Sequence, residues 1–181
     1  MPNDILESVK DFNTITIFRH VFADMDAIGS QFGLKYYLES AYPNKKIYCL
    51  GNDCPVSQRN NVHMDVVDDG VVASSLAIVL DTSNAARIDD DRYQLAKKSI
   101  RIDHHVQVET ICDEEWIDDK ASATCELLAL YLQEKKANIP LQSSLMLYLG
   151  LTADNIRFTT NNVRPATFDA AKYLFEQTAE S

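Results

Sequence analysis

Four clusters of acids and histidines stand where apolar runs stop: His20-x-x-x-Asp24-x-Asp26, Asp81, the triplet Asp103-His104-His105, and Asp154. Carboxylates and imidazoles together suit divalent cations, and two cations held side by side can activate water for attack at phosphorus. In the first cluster a strand-end histidine and two aspartates on a turn can send ligands toward two neighbouring ions. The same aspartates also read as a cap ahead of a helix. Asp81, at the mouth of an apolar run, can share its two oxygens between two cations or cap a turn. The pair His104-His105 behind Asp103 is harder to read as ordinary surface, because the chain has only four histidines and three of them fall in these clusters. Asp154 closes the apolar stretch 145–153, where a buried carboxylate needs compensation. His63 has no such setting and reads as surface, and the acidic runs 89–91 and 113–115 read as solvated faces.

The segments 14–18, 76–80 and 99–102 are short and apolar and read as buried strands. In an open parallel α/β sheet the strand C-termini share one edge, and ligands bind in the crevice outside it. Clusters far apart in sequence then meet in one cleft. Residues 27–40 predict a helix with Ile28, Phe32, Leu34, Tyr37 and Leu38 roughly on one face, broken by Tyr42-Pro43-Asn44. Residues 46–50 predict a second strand, 52–61 a loop or short helix, 92–98 a helix, and 112–117 an edge strand. The last third reads as helical over 122–136, 141–151 and 165–176, with Pro140 suited to a helix start. The expected fold is α/β, a mostly parallel sheet flanked by helices with a largely helical C-terminal third, in one domain.

A chain of 181 residues with 46% hydrophobic content can bury one such core. The 27 acidic residues against 17 basic ones, a net charge of −10, disfavour a long duplex nucleic acid as partner. Converging carboxylates would repel one another unless cations neutralised them, so a loaded site can take a small anionic substrate despite the overall sign. No apolar run approaches the roughly 18 residues of a membrane span. Cys49, Cys54, Cys112 and Cys125 are scattered, with no C-x-x-C spacing and no secretory leader, so reduced thiols and a cytoplasmic location are expected.

The segments His20-Val-Phe-Ala-Asp24-Met-Asp26-Ala-Ile-Gly29-Ser30, Leu80-Asp81-Thr82, Asp103-His104-His105 and Leu151-Thr-Ala-Asp154 resemble, in order and spacing, the four motifs of the DHH phosphoesterase superfamily. Within it, the stretches Asp81 to Arg87, Ser122-Ala-Thr-Cys-Glu126 and Asp154 to Phe158 look most like the oligoribonucleases (nanoRNases) that also remove the 3′-phosphate of pAp. The resemblance implies two Mn2+ ions, with Mg2+ or Co2+ as alternative occupants. His20 and Asp24 would hold the first ion, Asp26 and His104 the second, Asp81 would bridge them, and Asp154 would complete the ligand set of the second ion. His105 would face the substrate phosphate and Asp103 would orient the histidines. Arg87, Arg101 and Arg157, with Arg164, are candidates for phosphate contacts.

The implied activity is manganese-dependent hydrolysis of short oligoribonucleotides and dinucleotides and of the 3′-phosphate of pAp. A manganese inorganic pyrophosphatase of the same superfamily and a non-catalytic metal- or nucleotide-binding module stay open as alternatives. Two departures from the family pattern concern loops: Ala23 and Met25 replace the usual proline and glycine, and Asn155-Ile156 replaces Thr-Gly. Relatives carry a C-terminal substrate-binding domain that this chain is expected to lack, and a homodimer is left open.

Overall fold

In the computed structural model, which describes residues 4–179, the side chains of the central strands alternate between two unequal cores. Ile15 and Ile17 of β1 (Thr14–Phe18) and Leu76, Ile78 and Leu80 of β3 (Leu76–Leu80) enter the larger core, whereas Phe18, Ala77 and Val79 enter the smaller. Burial on both faces is what a parallel sheet requires of its central strands. With β2 (Lys46–Cys49), β4 (Lys98–Asp103) and β5 (Glu114–Ile117), they form a five-stranded parallel sheet in the order β2-β1-β3-β4-β5. Strand order reverses between β1 and β3, so the crevice expected of an open sheet opens at their C-terminal ends.

The larger core is closed by α2 (Met25–Ala41), α5 (Thr124–Glu134), α6 (Leu141–Asp154) and α7 (Pro165–Ala179). The short α1 (Ile5–Lys10) also packs there, with Ile5, Leu6 and Val9 buried. Short α3 (Pro55–Arg59) and α4 (Asp69–Ala73) connect β2 to β3. The parallel sheet and helical last third match the sequence reading. The predicted helix at 92–98 is instead a 3-10 turn at Asp91–Leu95 running directly into β4. Asp90 explains the difference, since its carboxylate binds both the backbone N–H and the guanidinium of Arg92 and fixes a tight turn. The sequence reading also missed α1 and α4, each too short to show a periodic face.

Helices α2 and α6 run antiparallel at close approach. A Cβ on Gly29 would lie 2.6 Å from the Met146 carbonyl oxygen, and one on Gly150 would lie 2.4 Å from Cys125 Sγ and 3.0 Å from the Met25 carbonyl oxygen. This contact sets the C-terminus of α6, with Asp154, beside the N-terminus of α2, with Asp24 and Asp26. Gly150→Ala should therefore lower stability by about 1–3 kcal/mol through overpacking, outweighing the roughly 1 kcal/mol that alanine gains in a helix. It should also weaken cation binding on the Asp26 side, because the new methyl group presses on backbone next to that ligand. Melting curves and Mn2+ titration of the variant check both effects.

Candidate metal centre

Each cluster reaches the crevice because an element ends there. His20 and Asp24 follow β1, Asp81 follows β3 in a left-handed conformation (φ 53°), Asp103 ends β4, Asp26 lies in the first turn of α2, and Asp154 closes α6. A non-glycine residue at positive φ is the kind of local strain that gathers at functional sites.

Three overlapping ligand groups result; one joins Asp81, His104 and His105, and the other two lie on either side of Asp81. In the first of these two, His20 Nε2 lies 3.8 Å from Asp24 Oδ2 and 3.4 Å from Asp81 Oδ2. In the second, His104 Nε2 lies 3.8 Å from Asp26 Oδ2, 3.6 Å from Asp154 Oδ2 and 3.4 Å from Asp81 Oδ1. Asp81 thus turns one oxygen toward each group. The His20 Nδ1 sits 2.6 Å from the Val21 carbonyl and the His104 Nδ1 3.3 Å from that of Ala121. A carbonyl on Nδ1 places the proton there and leaves the Nε2 lone pair for a metal, the arrangement that orients ligating histidines. Carboxylate oxygens mixed with imidazole nitrogen fit a divalent cation of the Mn2+ or Mg2+ type better than an all-thiolate set would.

Asp24 caps a helix and still has an oxygen free to serve as a ligand. Its Oδ1 accepts from the N–H groups of Asp26 and Ala27 and caps α2, while its Oδ2 faces His20. Asp26 is fixed by the N-terminus of α5, a helix that the sequence predicts without this role. The N–H groups of Thr124 and Cys125 donate to its two oxygens at 2.6 and 2.9 Å, and the Thr124 hydroxyl lies 3.2 Å from Asp81 Oδ1. Helix N-termini favour carboxylates in this way. The available signal was the Ser-Ala-Thr-Cys-Glu stretch, which by itself says nothing about what its amides face.

Without cations, protons take their place. Burial alone would lower the affinity of His20 for its proton, but Asp24 and Asp81 outweigh it and push the pKa up to about 10. Burial of His104 is likewise outweighed by Asp81 and Asp26, again to about 10. Asp81, despite its burial, is held well below the usual carboxylate range by the two histidines, whereas burial and the nearby Asp81 charge raise Asp26. A folded-state pKa raised above the ordinary 6.5 stabilises the fold below that pH, and this contribution is lost as pH climbs through about 10. The metal-free protein should therefore melt at progressively lower temperature as pH rises from 6.5 to 10. Cation loading at pH 8 should release about two protons, one from each imidazole, read by calorimetry in buffers of different ionisation enthalpy.

The other expected site residues divide. His105 is half-buried, with Nδ1 2.7 Å from Asp103 Oδ1 and 3.7 Å from Asp81 Oδ1. The buried Asp103 is held low, against its burial, by His105 and Arg101. Arg87 and Arg157 are exposed. Arg101 requires a correction: it is fully buried, donates to Asp103 Oδ2 at 2.7 Å and pairs with Glu115 at 3.5 Å, so it cannot reach a substrate. Arg164 is committed to Glu126 and Asp118. The acidic runs are also more than solvated faces, since Asp89 pairs with the buried Arg19 at 2.8 Å and Glu115 with Arg101. His63 is exposed and pairs with Asp53 at 2.9 Å, away from the ligand groups.

Residues 14–152 match the family model described as DHH family, N-terminal domain. The chain is 35% identical over 179 residues to the bifunctional oligoribonuclease and PAP phosphatase NrnA of Bacillus subtilis (strain 168), covering 97% of this chain and 57% of that protein. Among solved structures, an exopolyphosphatase-related protein from Bacteroides fragilis superposes with a TM-score of 0.82 at 23% identity, over 96% of this chain and 55% of that one. A putative family II inorganic pyrophosphatase of Methanococcus jannaschii does so with a TM-score of 0.65 at 19% identity, over 92% and 56%. At such identities the last two speak for the fold alone. The chain spans little more than half the length of the curated relatives it matches.

Proposed function

Because the chain belongs to the DHH family, whose members are phosphoester hydrolases, we propose that it hydrolyses phosphodiester bonds in short oligoribonucleotides and dinucleotides and the 3′-phosphate of pAp. The observation that carries this reading is Asp81, with one oxygen toward the His20–Asp24 group and the other toward the Asp26–His104–Asp154 group. Two Mn2+ ions are the proposed occupants; His20, Asp24 and Asp81 would hold one, and Asp26, His104, Asp154 and Asp81 the other, with Mg2+ or Co2+ able to substitute. Bound there, the ions would lower the pKa of the attacking water and offset charge on the attacking and leaving oxygens.

The chain's own residues supply the rest. Asp103 accepts the Nδ1–H of His105 and orients the ring, so that Nε2, when it too carries a proton, can donate to a phosphate oxygen, and Arg101 holds Asp103 in place. The exposed Arg87 and Arg157 are the proposed phosphate contacts. Four free cysteines fit a reducing cytoplasm, and among the described residues no helix is long and apolar enough to cross a membrane. Residues 4–179 build one unit around one sheet, which we read as the catalytic domain.

The fold shared with a putative family II inorganic pyrophosphatase favours a second reading, manganese-dependent cleavage of pyrophosphate. The purified chain with Mn2+ should be given pAp, the dinucleotide pApA, cyclic dinucleotides, pyrophosphate and a longer RNA. Turnover of pAp and pApA supports the nuclease-phosphatase reading. Cleavage of pyrophosphate alone overturns it, and turnover of none of them leaves a binding module.

A further inference from the structure

Phe22 sits between the first two metal-ligand candidates, His20 and Asp24, yet its side chain is 94% exposed and its backbone is left-handed at φ 53°. A large apolar side chain that packs on nothing, in a conformation L-residues avoid, has no folding rationale. Beside it the loops after β1 and β2 line an open cavity of about 640 Å³, within the range of small-molecule sites. Its walls include Val21, Phe22 and Ala23 from one loop and Cys54, Pro55 and Val56 from the other.

The polar part of the lining favours a neutral occupant. Arg19 is neutralised by Asp89, 2.8 Å away, and is further spent on the carbonyls of His20 and Asn52. Asp53 adds a negative charge to the lining, which repels phosphate. Gly51 (φ 127°) lets the loop close over this pair, since a Cβ there would lie 2.7 Å from Asp89 Oδ2. The cavity is thus lined largely by apolar residues, holds the compensated Arg19–Asp89 pair, and borders the loop that carries His20 and Asp24.

We propose that this cavity is the subsite for the nucleobase adjoining the phosphate under attack, with Phe22 as its stacking wall. The assignment rests on the nucleotide reading given above and adds what that reading leaves open: how an acidic protein holds a nucleotide rather than any phosphoester. Aromatic faces stack on every base, so the subsite takes short nucleotides without reading their sequence.

AMP and ribose 5-phosphate share sugar and phosphate and differ by the base. Their affinities for the Mn2+-loaded chain, measured by calorimetry for the wild type, Phe22→Ala and Phe22→Trp, isolate the subsite. The wild type should bind AMP about ten-fold or more tightly than ribose 5-phosphate. Phe22→Ala should remove most of that ratio, leave ribose 5-phosphate binding unchanged and leave the melting temperature undiminished. Phe22→Trp should restore the ratio and lose fluorescence on adding AMP. A ratio in Phe22→Ala equal to that of the wild type overturns the subsite, as does a wild type that does not distinguish the two ligands. If base-dependent binding is found but pApA is not cleaved, the proposed reaction fails while the subsite stands. If pApA is cleaved with the ratio unmoved by Phe22→Ala, only the subsite fails.

Discussion

Asp81→Ala is expected to lower the rate of pApA hydrolysis by about three orders of magnitude or more, the loss that follows when a charge-stabilising arrangement at the reacting centre is dismantled. The size follows from its placement. One oxygen faces each ligand group, at 3.4 Å from His20 Nε2 and 3.4 Å from His104 Nε2. Among the described residues no other side chain faces both His20 and His104, so neither group keeps a full ligand set without it. The isosteric Asp81→Asn preserves shape and the neighbouring Thr124 hydroxyl but removes the charge, and should lose activity to a similar degree. Steady-state rates with saturating Mn2+, alongside circular dichroism to establish folding, make the comparison. A variant retaining full rate would remove the two-cation mechanism.

Arg101→Met should lower the melting temperature by roughly 6–20 °C. Arg101 and Asp103 are both fully buried and joined at 2.7 Å. Removing one partner of such a pair leaves an uncompensated charge at a cost of about 3–5 kcal/mol, and each kcal/mol moves the melting point of a domain this size by about 2–4 °C. Removing Asp103 as well, in Arg101→Met/Asp103→Leu, should recover part of the loss, because two apolar groups replace the stranded ion. Differential scanning calorimetry of the three proteins reads this directly. A residue that touched substrate would behave differently, raising KM for pApA with an unchanged melting point. Activity should fall in Arg101→Met as well, since Asp103 then has only His105 to hold it.

The ligand clusters were legible because each one interrupts an apolar run, and a parallel sheet gathers the ends of such runs on one edge. His20, Asp81 and Asp103 follow strands whose side chains are almost wholly buried, so their positions follow from chain direction alone. Asp154 was legible for a related reason, as a carboxylate ending an apolar helix. Arg101 was not. Alternation within β4 does not reveal that a basic residue is answered by acids two and fourteen positions downstream, Asp103 and Glu115. The same holds for Asp89 and Arg19, seventy residues apart. Thr124 and Cys125 act through backbone N–H groups, which every sequence possesses, so their service to Asp26 depends wholly on where α5 begins. Phe22 looked like any loop residue until its conformation and exposure were known.

The loop departures have visible consequences. Ile156, standing where glycine is usual in the family, adopts φ 48°, and Arg157 and Phe158 follow at 57° and 67°. Asn155 holds this left-handed turn through its side-chain oxygen, which accepts from the Phe158 N–H at 2.8 Å, so Asp154 keeps its place without the glycine.

Mn2+ titration followed by electron paramagnetic resonance reads whether two cations are held side by side across Asp81. Such an arrangement gives two Mn2+ per chain and a spin-coupled signal that disappears in Asp81→Ala. A single Mn2+ per chain, or two whose spectra are those of isolated ions, would contradict it.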